Sequence, residues 1–156
     1  MTLFYKRNQK EKQQQFTFIL PIICYACAIG GFFRAIGLCW EMGQNNGNFE
    51  FSSTIYTFIS PIIMVWSSIL IALIVRNIRK GIVFETSNAQ LITWVGAVVL
   101  IGASLQLFIS SLTDVKTPIA GDSNPMLYYL LGMFIVFIGQ IFHIGIRMKE
   151  EQDLTI

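Results

Sequence analysis

The sequence predicts an all-α membrane protein, a four-helix transmembrane bundle with antiparallel helices. Four mostly apolar stretches, at residues 16–38, 53–75, 91–112 and 126–146, match the roughly 20 residues that a helix needs to cross a bilayer. Hydrophobic residues make up 54% of the chain and charged residues 13%, whereas charged residues are about 25% of a typical soluble domain. The connections are short, so we expect a single transmembrane domain over residues 1–156.

Basic residues predict the orientation of the bundle. An even number of spans puts the N-terminal segment, the connection between the second and third spans, and the C-terminal tail on one side. That side carries Lys6, Arg7, Lys10, Lys12, Arg76, Arg79, Lys80, Arg147 and Lys149, which is nine of the 11 Lys and Arg residues. Since cytoplasmic loops are enriched in these residues, we expect both termini to be cytoplasmic.

The first span is expected to remain attached rather than to be cleaved as a signal peptide. A small-residue cleavage pattern occurs at 26–28, but the apolar character continues to Leu38. Pro21 lies early in this span, where a missing amide donor costs little. Residues 10–15 are polar and are expected to form a helical lead-in at the interface.

Turn and capping residues separate the later spans. Gly and Asn residues between Met42 and Asn48 predict the first outer loop, and 114–124 predict the second. Pro61 lies inside the second span and is expected to kink it. Glu85–Asn88 offer capping residues for the third span, and Pro125 suits the first turn of the fourth.

Small or weakly polar residues recur at heptad-like spacing in each span. The four stripes are Cys24, Cys27, Gly31 and Arg34; Ser53, Ser60 and Ser67; Gln90, Ala97, Ser104 and Ser111; and Gly132, Gly139 and His143. Small residues allow close helix approach in lipid, so we interpret the stripes as helix–helix contacts. The alternative interpretation is that they line a cavity for a small ligand.

The connection before the third span and the C-terminal tail carry a family motif. It consists of Gly81, Phe84, Asn88, Leu91 and Gly96, together with the tail from Lys149 to Ile156. These residues, mainly in the C-terminal half, resemble the bacterial domain-of-unknown-function 2975 family. The resemblance implies a four-helix protein of the bacterial cytoplasmic membrane, often encoded beside a small helix-turn-helix regulator. It implies no catalytic residues.

Two cysteines in the first span form a C-x-x-C motif. Cys24 and Cys27 have the spacing of a redox pair, and a membrane thiol oxidoreductase is therefore one functional hypothesis. Such an enzyme needs a second pair on the outer side, and only Cys39 is left over. Their apolar surroundings disfavour a thiolate, so we interpret both as small packing residues.

Arg34 is a charged residue within a span, which is by default a candidate functional site. Glu41 follows it by two helical turns on the same face. One hypothesis is a structural ion pair of Arg34 with Glu41 or with a loop carboxylate, and the other is ligand binding. Arg34 also lies near enough to the outer end to extend toward lipid headgroups. Trp40 is suited to an interfacial anchor.

Three further polar residues are weaker candidates for ligand binding. His143 is the single histidine, with Gln140 one turn before it, and Gln106 lies in the third span. One histidine cannot complete a metal or haem site, so we expect no metal and no cofactor. Amides and imidazoles within lipid more commonly form hydrogen bonds between helices.

The leading functional hypothesis is a non-enzymatic one, a regulatory or accessory membrane subunit that acts by protein–protein interaction. Its partners would be the lipid bilayer and another membrane protein or a second copy, with no direct contact to nucleic acid. The alternative is an oligomeric transporter or channel for a small molecule or ion. The spans contain no Asp or Glu, which disfavours a proton-coupled exporter. Phosphate-binding and hydrolase motifs are also missing from the sequence.

Overall fold

Four long helices make up the protein in a computed structural model, which describes residues 2–44, 51–112 and 124–153, and side chains from residue 18 to residue 152 within those ranges. The helices are α1 (Thr2–Gln44), α2 (Phe51–Arg79), α3 (Thr86–Leu112) and α4 (Pro125–Asp153). The described ranges contain no strand, which confirms the predicted all-α fold. Most of the two predicted outer loops lies outside the described residues.

Each helix is long and apolar enough to cross a membrane. The spanning segments are Phe18–Gln44, Phe51–Arg79, Thr86–Leu112 and Pro125–Gln152, with mean hydropathy between 1.9 and 2.5. Large apolar side chains cover the outside of the molecule, which is the expected surface of a protein solvated by lipid tails. The four predicted spans are confirmed, and the chain is a multi-pass membrane protein.

The helix ends follow the capping chemistry of the sequence. The amide N–H of Met126 donates to Asn124 Oδ1 at 3.2 Å, so Asn124 caps α4 and Pro125 occupies the first helical position. At the end of α2, Gly81 has a φ of 81°. The N–H groups of Gly81 and Ile82 donate to Ile78 and Asn77, respectively, which is the Schellman motif that ends a helix at a glycine.

The helices pack in the order of the chain. Helix α1 packs on α2, α2 on α3, and α3 on α4, and no other pair of helices brings Cα atoms within 8 Å of each other in the part of the chain described. Neighbouring helices run antiparallel. Between α2 and α3, for example, Ile63 lies against Gly102 near the middle of the helices, and Asn77 contacts Asn88 at one end. The bundle is therefore a series of antiparallel pairs, and the described residues leave the outer sides of α1 and α4 uncovered.

Glycines form the closest contact, between α3 and α4. A Cβ atom added at Gly96 would lie 2.7 Å from the backbone nitrogen of Val136 and 3.0 Å from the carbonyl oxygen of Gly132. A Cβ at Gly139 would lie 3.1 Å from the backbone nitrogen of Thr93. The two backbones are in contact over two helical turns, as small residues permit in lipid. This confirms the contact role predicted for Gly132 and Gly139.

The predicted stripe in α3 is displaced by one residue from the observed contact. Ser104 is exposed, whereas Ala103 and Gly102 are buried. The hydroxyl of Ser104 donates to the carbonyl of Leu100 at 2.8 Å, one turn back in the same helix. A serine whose hydroxyl is bonded within its own helix needs no partner on a neighbouring helix, so its polarity did not identify the contact face.

Candidate functional site

One exposed flank of α1 combines small residues with charge. The 3.6-residue repeat brings Gly30, Arg34, Gly37 and Glu41 within an arc of about 60°, and all four are exposed. We call this set the free flank. A Cβ at Gly30 would come no closer than 4.0 Å to Met64, and one at Gly37 would meet no atom within 4 Å. The backbone of α1 is therefore open to close approach from outside the chain.

The other exposed side of α1 has a different composition. Its residues are large and apolar, namely Tyr25, Ile29, Phe32 and Ile36, with exposed fractions of 60%, 56%, 62% and 49%. Side chains of this kind are typical of a surface that contacts lipid tails. Since α1 packs on α2 alone, both sides are uncovered, and the two differ in the groups they offer to a neighbour.

Arg34 lies within the membrane layer. The guanidinium of Arg79 lies 4.3 Å from the centroid of the Phe18 ring, which aligns Phe18 with the basic end of α2. Arg34 follows Phe18 by 16 residues, or about 24 Å of helix, which is less than the roughly 30 Å thickness of the hydrocarbon layer. The charge is therefore placed inside the layer, in the half farther from the basic end of α2.

Arg34 and Glu41 do not form an ion pair with each other. Neither residue has an ion-pair partner among the described side chains, where Arg147 and Glu151 form such a pair at 3.3 Å. Arg147 and Glu151 are four residues apart, the spacing at which helical side chains meet directly. Arg34 and Glu41 are seven apart, and on one straight helix their side chains extend from different turns. The structure therefore shows no direct Arg34–Glu41 ion pair. The loop carboxylates lie outside the described residues, and both the structural and the ligand-binding role of Arg34 stay predictions.

Gln106 is the most deeply buried polar candidate. It is 1% exposed, and its Nε2 donates to the carbonyl oxygen of Tyr56 at 3.4 Å, which joins α3 to α2. Its Oε1 has no hydrogen-bond partner. The amide thus forms one long interhelical hydrogen bond and leaves one buried acceptor unsatisfied, an arrangement that contributes little to stability.

We expect the replacement Gln106→Met to leave the melting temperature in detergent nearly unchanged or slightly higher. Methionine has a similar shape and removes the unsatisfied acceptor together with the weak donor. Thermal melting of the purified variant beside wild type measures this. A loss of several kcal/mol would contradict it, because the amide would then form stronger interactions than the 3.4 Å bond.

The remaining candidates lie far from the free flank. Gln140 and His143 are exposed on α4, and no Cα atom of α4 comes within 8 Å of one in α1. The five candidate residues are therefore distributed over three separate places and do not form one site. Cys24 and Cys27 are free thiols on α1, the first buried and the second half-buried. The described residues contain no group of three His, Cys, Asp or Glu side chains suited to hold a metal ion.

The connection between α2 and α3 contains a polar cluster centred on Asn88, which is 3% exposed. Its Nδ2 donates to the carbonyl oxygens of Ile82 at 2.6 Å and Val83 at 3.1 Å. Its Oδ1 accepts a hydrogen bond of 2.8 Å from Nδ2 of Asn77. One side chain thus joins the end of α2, the connection and the start of α3.

The connection also contacts α4 through an aromatic pair. The rings of Phe84 and Phe142 stack with centroids 6.3 Å apart and planes 17° from parallel. The ammonium of Lys149 lies 6.0 Å from the centroid of the Phe84 ring. The motif residues Gly81, Phe84 and Asn88 therefore have structural roles, in ending α2, in contacting α4 and in holding the connection, which identifies the motif as a folding feature.

The comparison with known families identifies one family. Residues 10–156 match a family model described as Protein of unknown function (DUF2975). The match extends over nearly the whole chain, whereas the sequence motifs indicated mainly the C-terminal half. No curated protein and no solved structure matches the chain.

Proposed function

Because the chain belongs to the DUF2975 family, whose function is unknown, we propose from its own residues that it is an accessory subunit of another membrane protein. It acts without catalysis, and it binds its partner through the free flank of α1. The observation that supports this is the charge of Arg34, which has no ion-pair partner among the described side chains and lies on a helix face that the described residues leave uncovered. A charge within the hydrocarbon layer is costly unless a partner neutralises it.

The glycines beside Arg34 favour a helix over lipid as the neighbour of this flank. Gly30 and Gly37 lie one turn to either side of Arg34, and neither has a close neighbour within the chain. Glycines let two helix backbones approach closely, which strengthens the packing against a partner helix. The same glycines do not strengthen packing against fluid lipid tails. An acidic side chain on the partner helix would then meet the guanidinium in a desolvated, charge-assisted hydrogen bond.

A second copy of the chain is a poor candidate for this partner. A two-fold axis along the membrane normal brings residues of equal depth together, so Arg34 would face another Arg34. Glu41 of the second copy would lie two turns, about 10 Å along the axis, from this pair of charges, and the apolar stretches at residues 16–38, 53–75, 91–112 and 126–146 contain no Asp or Glu. We therefore propose a different protein, with an Asp or Glu in a membrane-spanning helix.

Site-specific photocrosslinking tests the proposal in native membranes. A photoreactive amino acid at position 37, on the free flank, is expected to give a protein adduct. The same group at Ile36, on the opposite exposed side, is the matched control and is expected to give lipid adducts alone. In the position-37 background, Arg34→Ala should abolish the protein adduct while leaving the melting temperature nearly unchanged.

The identity of the adduct decides between the alternatives. The partner must contain a membrane-spanning segment with an acidic residue. Arg34→Glu in this chain and replacement of the partner's acidic residue by Lys should each abolish the adduct. The two substitutions together exchange the charges and should restore it. An adduct of two copies of this chain would contradict the proposal and favour the oligomeric transporter or channel. Lipid adducts alone at position 37 would also contradict it and favour extension of Arg34 to headgroups.

We further propose that the protein resides in a bacterial cytoplasmic membrane with both termini inside, as the nine basic residues on that side support. In a chain without its native cysteines, single cysteines at positions 9, 44 and 124 should report this in intact cells. An impermeant thiol reagent should label positions 44 and 124 and leave position 9 unlabelled. The reverse pattern would contradict the orientation.

The helix-turn-helix regulator implied by the family resemblance stays a prediction about genomic context. The basic segment at 76–85 and the C-terminal tail are the segments that such a cytoplasmic protein would contact. The photocrosslinking experiment distinguishes it from the proposed partner, because a soluble regulator cannot reach position 37 within the membrane layer.

A further inference from the structure

The end of α2 carries three basic side chains that no carboxylate neutralises in the structure. Arg76, Arg79 and Lys80 lie within an arc of about 100°, and all three are exposed. No ion pair joins any of them to an acidic residue among the described side chains. We call this set the basic terminus of α2.

The guanidinium of Arg79 lies over an aromatic ring of α1. Its Cζ atom lies 4.3 Å from the centroid of the Phe18 ring on α1, the distance of a cation–π contact. A guanidinium packed over a ring leaves its N–H groups, which point outward in its plane, free to bind an acceptor. Phe18 thus acts as a platform that presents the donors of Arg79 at the junction between α1 and α2.

The backbone does not compete for these donors. The carbonyls of Asn77 and Ile78 at the end of α2 accept hydrogen bonds from the N–H groups of Ile82 and Gly81. The partial negative charge of a helix C-terminus favours cations at this position. The basic side chains are therefore concentrated here while their hydrogen-bonding groups stay available.

The depth of the cluster identifies the ligand. Phe18 lies near the start of the apolar stretch at residues 16–38, so Arg79 lies where the hydrocarbon layer meets the headgroups. We propose that the basic terminus of α2 binds the phosphate of an anionic phospholipid in the leaflet on the side of both termini. The acyl chains lie along the exposed apolar residues of α1 and α2, which include Phe18 and Ile22. Arginine binds phosphate oxygens through paired N–H groups.

Native mass spectrometry of the purified full-length chain tests this site. The protein in detergent is mixed with phosphatidylglycerol or with phosphatidylcholine, and the dissociation constant of the first retained lipid is measured. Wild type should retain phosphatidylglycerol preferentially. Arg79→Ala should weaken that retention about fivefold, the effect of one basic residue near an anionic headgroup.

Matched variants distinguish binding at this site from general electrostatic attraction between the protein and anionic lipid. Arg147→Ala removes an arginine from the same side of the membrane, where its partner is Glu151, and should leave lipid retention unchanged. Arg79→Lys and Phe18→Leu keep the charge and the apolar bulk, respectively, but lose the stacked guanidinium, and both should weaken retention. The melting temperature of each variant shows whether it is folded. If Arg79→Ala does not fold, lipid retention by Arg79→Lys and Phe18→Leu tests the proposal.

Two outcomes would overturn the proposal. Equal loss in Arg147→Ala and Arg79→Ala, or full retention in Arg79→Lys and Phe18→Leu, would mean that net charge alone attracts the lipid. Displacement of phosphatidylglycerol by excess inorganic phosphate would mean that a free phosphate, and not a lipid, is the ligand. These outcomes are independent of the partner proposed for the free flank, which lies in the outer half of α1.

Discussion

Gly96→Leu is expected to lower the melting temperature in detergent by about 6–12 °C. Even a Cβ at this position would lie 2.7 Å from the backbone nitrogen of Val136, so the two helices must separate to admit a side chain. Overpacking of this kind costs about 3 kcal/mol, and 1 kcal/mol corresponds to about 2–4 °C in a protein of this size.

The same substitution at Gly145 is the matched control. Gly145 lies on α4, and a Cβ there would meet no atom within 4 Å. Gly145→Leu should therefore change the melting temperature by little, since the side chain extends into detergent or lipid. If Gly96→Leu and Gly145→Leu had the same melting temperature, the close backbone contact between α3 and α4 would be contradicted.

Asn88→Ala is expected to destabilise the protein by about 3 kcal/mol. The substitution leaves two backbone carbonyls and the amide of Asn77 without the partner that holds them. Asn88→Asp should be at least as severe although the two side chains have the same shape. Aspartate donates no hydrogen bond and would place an oxygen against the Ile82 carbonyl, where the amide nitrogen now lies at 2.6 Å.

Ser87→Ala provides the control for the cluster, since Ser87 is adjacent and exposed and its hydroxyl contacts Glu85 Oε2 at 3.3 Å. We expect a change within about 0.5 kcal/mol. Thermal melting measures the stability of each variant, and limited proteolysis at residues 80–85 reports whether the connection has loosened. Equal protease resistance in wild type and Asn88→Ala would contradict the role of Asn88.

Hydrophobic length was sufficient to predict the four helices but not their ends. The apolar stretch predicted at 53–75 continues as helix to Arg79, and the one at 126–146 continues to Asp153. Hydropathy identifies the part of a helix that lies in hydrocarbon, whereas the helix itself continues into the headgroup region, where polar side chains are solvated. The order of packing could not be predicted, because residues facing lipid and residues facing another helix are both apolar.

The candidate site was predicted in part. The charge of Arg34 within a span was sufficient to select it, but no direct ion pair with Glu41 forms among the described residues, because the two side chains extend from different turns. The free flank was overlooked because Gly30 and Gly37 are recognisable as part of it only when α2 is known to pack on the face of Gly31. The basic residues of α2 were interpreted as signals of orientation, and the contact of Arg79 with Phe18 joins residues 61 positions apart in sequence.

The serial packing of the helices has a consequence for how the protein is made. A helix that contacts just its predecessor and its successor finds every partner as soon as the next span enters the bilayer, so assembly can follow the order of synthesis. Contacts close in sequence also favour rapid folding. The stability of the chain is then approximately a sum over the contacts between neighbouring helices, so a substitution at one helix–helix contact weakens mainly that contact. Damage to the α3–α4 junction should therefore leave the α1–α2 pair assembled, with its free flank still able to meet a partner.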